Sequence, residues 1–127
     1  MTHDVVTLDR NAKLLAADDV MRLGRIRHLP VLDEDGGLVG IVTQRDLFHS
    51  GLLKALGYGS HARSSMLEVL AIKETMKTEV VTTTPDTMLA DAARIMIDRK
   101  IGCLVVMEGS KLVGILTESD FVKLYTD

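Results

Sequence analysis

Thr43-x-x-Asp46 and Thr117-x-x-Asp120 each set a hydroxyl and a carboxylate three residues apart, where a β-rich run gives way to a helical one. At a helix start the unpaired amide groups and the positive end of the dipole favour an anion, so the acid stays ionised there. Such a carboxylate can accept both hydroxyl protons of a sugar diol, and the threonine can add a contact to sugar or phosphate. The same spacing is that of a capping box, in which both side chains satisfy only the backbone. Spacing alone leaves both readings open. Ser119 adds a hydroxyl to the later string. Ahead of the earlier one stand Arg27 and His28, which can hold a phosphate through a bidentate guanidinium and a single imidazole donor. A solvated basic edge is the alternative. Arg45, Arg99 and Lys100 are further cations that can serve either string or face solvent.

Composition narrows the classes of function. The chain has 127 residues, 46% of them hydrophobic, enough for one compact core. Aromatics make up 3% and Trp is absent, so a nucleic-acid surface of stacked rings is hard to build, and the core must be aliphatic and rich in Met. A net charge of -3 gives no basic footprint for DNA. The one cysteine, Cys103, excludes an intramolecular disulfide and favours a reducing, cytoplasmic setting; inside an apolar run it is expected to be buried and inert. No apolar stretch approaches the ~20 residues of a membrane span, and the N-terminus lacks the regions of a signal peptide. His3, His28, His49 and His61 do not stand at metal-ligand spacings, and no Gly-rich phosphate loop with a Lys occurs, so neither a metal nor catalysis is expected.

The elements that must position these residues occur twice. Laid over itself at an offset of 75 (Met1 onto Met76), the sequence pairs Leu14 with Leu89, Ala17 with Ala92, Met21 with Met96 and Leu29 with Leu104. Past a turn shortened by one residue the offset is 74, and Leu38-Val39-Gly40-Ile41-Val42-Thr43 meets Leu112-Val113-Gly114-Ile115-Leu116-Thr117. A match that survives a gap in a Gly-containing turn is the mark of a duplicated folded unit. Each copy reads as strand, helix, strand, turn, strand, helix. Leu89, Ala92, Ala93, Met96 and Ile97 recur at helical steps, with Asp86 or Thr87 as the expected cap; Asn11 is the expected cap of the first helix. Leu29 to Leu32 and Leu38 to Val42 read as a hairpin around residues 33–37, repeated around residues 108–110. Residues 47–56 read as helix, residues 57–60 as a break, and residues 64–78 as helix or short strand. The halves divide at residues 1–60, the first repeat with its C-terminal helix, and residues 61–127, a linker segment with the second.

The strings Ile26-Arg27-His28-Leu29-Pro30-Val31-Leu32-Asp33 and Gly40-Ile41-Val42-Thr43-Gln44-Arg45-Asp46 resemble the signature of cystathionine-β-synthase-type (CBS) repeats. So do Leu104-Val105-Val106 and Gly114-Ile115-Leu116-Thr117-Glu118-Ser119-Asp120. The resemblance implies an α+β fold of two pseudo-twofold-related β-α-β-β-α repeats packed through their sheets, with a cleft on either side. It implies a non-catalytic regulatory module, commonly a homodimer, that binds an adenine nucleotide (AMP, ADP or ATP) as a regulatory ligand and reports it to a separate protein. It gives the acid the ribose diol and the basic residues the phosphate. By this reading Arg27, His28, Thr43, Arg45 and Asp46, completed by Thr82 or Thr83, form the stronger site. Thr7, Ile101, Thr117, Ser119 and Asp120 form the weaker, because Gly102-Cys103 replaces Arg27-His28 there. Val6, Val81, Ile26 and Ile101 are candidates for an apolar slot around adenine, or ordinary core residues. An S-adenosylmethionine or NAD sensor and a ligand-free dimerisation module are the rival readings; direct binding to nucleic acid or membrane is not expected.

Overall fold

The computed structural model describes residue 3, residues 5–47 and residues 70–124. The expected helix at 47–56, except for Leu47, and the break at 57–60 lie outside them, as do His49 and His61. The chain divides into two compact units, Val6–Glu79 and Val80–Asp127 with Met1–Val5. The first holds β1 (Leu8–Asp9), α1 (Leu14–Gly24), β2 (His28–Leu32) and β3 (Leu38–Thr43), a helical turn over residues 44–47, and a 3₁₀ turn at Ile72–Glu74. The second holds β4 (Thr82–Thr83), α2 (Leu89–Arg99), β5 (Cys103–Glu108), β6 (Lys111–Thr117) and α3 (Glu118–Lys123).

Both units are the same α+β repeat. Each sheet has three strands in sequence order, the first pair parallel around a helical crossover and the second an antiparallel hairpin. Even the irregularity recurs: the register slips between Val31 and Leu32 in one hairpin, and between Val106 and Met107 in the other. A bulge kept at matched positions is a designed bend, not an accident of packing.

The helices form because one stripe is apolar. Leu14, Ala17 and Met21 are buried along α1, and Ala92 and Met96 along α2. Each helix ends on a left-handed residue, Arg25 (φ 54°) and Lys100 (φ 56°), whose amide turns back to the carbonyls of Met21 and of Ile97 and Met96. This is the αL stop usually taken by Gly. The starts differ from expectation. The N-caps are Lys13 and Met88, and neither gives a side-chain cap. Asn11 is engaged elsewhere, donating to Glu34 Oε1 at 2.8 Å and accepting from Lys73 Nζ at 3.2 Å. Thr87 accepts from Thr83 at 2.7 Å. The first amide of α1 is met by the backbone instead, Leu14 N donating to Leu70 O at 2.9 Å.

Each unit has its own core. Leu14, Ala17, Met21, Leu29, Val31 and Val42 cluster in the first; the counterparts of all but Leu14, namely Ala92, Met96, Leu104, Val106 and Leu116, cluster in the second. The first core has a further wall. Ile72 is fully buried in it, Met76 packs against it, and isolated bridges join Lys13 to Ala71 and Ile41 to Lys77. Residues 70–77, which the sequence division assigns to the second half, therefore pack with the first repeat. Gly40 permits the approach: a Cβ there would stand 2.6 Å from Met76 Sδ and 2.9 Å from the Lys77 carbonyl oxygen.

Candidate functional site

The two Thr-x-x-Asp strings occupy identical places. Thr43 ends β3 opposite His28, the first residue of β2, and Thr117 ends β6 opposite Cys103, the first residue of β5. The next amide in each case crosses to the neighbouring chain end, Gln44 N to Arg27 O at 2.8 Å and Glu118 N to Gly102 O at 3.2 Å. Strand pairing thus sets Arg27 and His28 beside the first string, and Gly102 and Cys103 beside the second.

Both strings close as capping boxes. Thr43 N donates to Asp46 Oδ2 at 2.9 Å, and Asp46 N to Thr43 Oγ1 at 3.2 Å. Thr117 N donates to Asp120 Oδ2 at 2.8 Å in the second, where Thr117 Oγ1 also lies 2.8 Å from Ser119 Oγ and 3.4 Å from Asp120 Oδ2. The backbone role that spacing left open is therefore realised in both repeats. It uses one oxygen of each acid. The other oxygen of Asp46, Oδ1, lies 3.5 Å from the ammonium of Lys77, with the Asp46 side chain 12% exposed.

The named residues fall out as follows. Arg27, His28, Thr43 and Asp46 meet at one end of the first repeat's hairpin, with Arg45 exposed on the helical turn beside them. Thr117, Ser119 and Asp120 meet at the matching end of the second repeat. Thr7 precedes β1 in the first unit; Thr82 and Thr83 form β4 in the second, where they pair with Val105 and Val106. Ile101 and Val81, partly buried, pack against the second core, and Ile26 against the first. Val6 is exposed. Lys77 went unnoticed in the sequence because it lies outside both motifs and its counterpart at the same offset is Thr2.

Cys103 is buried as expected, and desolvation pushes its thiol up to about 11, so it offers little thiolate near neutral pH. Among the described residues no group of three or more His, Cys, Asp or Glu side chains could hold a metal ion, and no helix is long and apolar enough to cross a membrane. An open groove of about 610 Å³ lies between α2 and the start of α3, lined by Ala93, Met96, Ile97, Lys100, Ile101, Glu118 and Phe121, and so brings the predicted residues Ile101 and Lys100 to one surface beside the second string. Leu89, Ile97 and Val122 are exposed on the same two helices.

A duplicated β-α-β-β-α unit with a capped acid after each hairpin defines a class, and comparison with known proteins agrees. The CBS domain family model matches residues 1–52 and 72–127, and the chain belongs to that family. A crystal structure described as a putative acetoin utilization protein from Vibrio cholerae is 37% identical, with a TM-score of 0.79 over 99% of this chain and 86% of that one. The CBS domain pair of protein MJ0100, in complex with 5′-methylthioadenosine and S-adenosyl-L-methionine, is 28% identical, with a TM-score of 0.78 over 99% and 91% of the two chains. A homoserine O-acetyltransferase from Methanococcoides burtonii is 35% identical over 98% of this chain, which matches only 23% of that protein's length. The chain spans 31% and 40% of two relatives from Methanocaldococcus jannaschii.

Proposed function

We propose that this CBS pair is a non-catalytic regulatory module that senses an adenine nucleotide, AMP, ADP or ATP. In this reading Asp46 accepts the ribose hydroxyls, Thr43 and Thr82 or Thr83 add hydroxyl contacts, and Arg27, His28 and Arg45 hold the phosphates. Thr7, Ile101, Thr117, Ser119 and Asp120 serve a weaker second site. The observation that supports it is the backbone pairing of His28 with Thr43, at the strand end next to an acid whose cap occupies only one oxygen. The relative crystallised with 5′-methylthioadenosine and S-adenosyl-L-methionine supports an adenosyl ligand. Neither of those molecules carries a phosphate, whereas Arg27 and His28 suit one; that favours a nucleotide over an S-adenosylmethionine sensor. The apolar face of α2 and α3 suits a homodimer, the single buried cysteine a cytoplasmic setting, and the output goes to a separate regulated protein.

The capping boxes favour one rival, a ligand-free interaction module in which both acids serve only their helices. Calorimetric titration with AMP, ADP, ATP, NAD and S-adenosylmethionine separates the two. The sensor reading expects AMP, ADP or ATP to bind best, and Asp46→Ala to cost about 1.5–3 kcal/mol of that binding, the scale of charge-assisted hydrogen bonds. No heat from any of the five would establish the rival.

A further inference from the structure

Lys77 belongs to no motif, yet the fold fixes it against the first repeat's acid. Its backbone is tied to β3 by two hydrogen bonds with Ile41, each 2.9 Å long. Met76 beside it is packed against the first core, and the bare backbone of Gly40 leaves room for both residues. From that anchor the side chain, 62% exposed, reaches in from solvent and brings its ammonium to 3.5 Å from Asp46 Oδ1, the oxygen that the cap does not use. A loose pair of this kind, open to water on the lysine side, is cheaply exchanged for a better partner.

We infer that Lys77 reads the charge of the ligand: it holds the outer oxygen of Asp46 until a ribose diol takes that oxygen, and then pairs with a phosphoryl group on the same ligand. This rests on the adenosyl reading of the site. An uncharged adenosyl compound breaks the ion pair and leaves the ammonium with water alone. A nucleotide breaks the same pair and supplies a new anion. Lys77 therefore disfavours the first and favours the second. At the corresponding position of the sequence, 75 residues earlier, stands Thr2, which carries no charge.

The test is calorimetric titration of the full chain and of Lys77→Met with AMP and with adenosine. Methionine keeps the stem and the backbone bridge while removing the charge, and an unchanged thermal midpoint verifies the fold. The expected result is that AMP binds the variant about tenfold more weakly, the scale of one charge-assisted hydrogen bond, while adenosine binds equally well or better. Lys77→Arg, which keeps the charge, should retain most of the preference for AMP. An unchanged ratio of AMP to adenosine affinity in Lys77→Met overturns the inference and leaves the site reading intact. If the unaltered chain binds neither AMP nor adenosine, the site reading falls and the inference with it.

Discussion

The two repeats share one frame and differ in what surrounds it. In both, a hairpin ends on Thr, the following amide crosses to the neighbouring strand, and an acid three residues on caps the helix. Around the first frame stand Arg27, His28 and Lys77; at the places of Arg27 and His28 the second has Gly102 and Cys103. Closure differs as well. Leu14 is fully buried under residues 70–77, whereas its counterpart Leu89 is 48% exposed. Duplication thus preserves the backbone scaffold, which folding requires of both copies, and leaves the added charge and the added wall free to diverge. A capped acid shows where a ligand site can be built; the groups around it decide whether one is.

Three changes would sharpen or break this contrast. The largest effect is expected in the core. Leu14→Ala should cost about 2–5 kcal/mol in urea unfolding, and Leu89→Ala under about 1 kcal/mol, because only the first empties a closed space. Equal losses would mean that the second helix is as well covered as the first.

Next comes the charge difference. Replacing Arg27 by Gly and His28 by Cys makes the first site chemically like the second, and should weaken AMP binding by about 1.5–3 kcal/mol in calorimetry. A variant that kept the affinity would place the phosphate elsewhere.

The smallest effect concerns Cys103. Burial raises its thiol from 9.0 to about 11, so the folded state favours the neutral form. This contribution to stability is therefore complete below about pH 9 and fades as pH rises toward 11. Cys103→Ser should flatten the decline in urea stability over that window. At pH 8.5 the thiol of the folded chain should react with a disulfide reagent at least about tenfold more slowly than that of the unfolded chain. Equal rates would show that the strand is open to solvent.

Much of this was legible in the sequence. The offsets of 75 and 74 gave the two repeats, the alternating runs gave both hairpins, and the helical stripe gave α2, because these depend on local periodicity. The first helix cap is not legible in the sequence, because Asn11 is claimed by Glu34 and Lys73, 23 and 62 positions away, and no local pattern reveals such competition. Lys77 and the wall formed by residues 70–77 escaped notice for the same reason. They work through Gly40 and Ile41, distant in sequence and adjacent in space. The Thr-x-x-Asp spacing was ambiguous for a different reason: a cap and a diol acceptor need the same acid in the same place, and one carboxylate has an oxygen for each.

The most direct test of unequal sites follows the amide resonances of the isotopically labelled chain as AMP is added. The account predicts that residues 27, 28, 43–46 and 77 shift first, with those at 102, 103 and 117–120 following only at much higher nucleotide concentration. Shifts that begin at Thr117 to Asp120, or that grow equally at both hairpin ends, would contradict it.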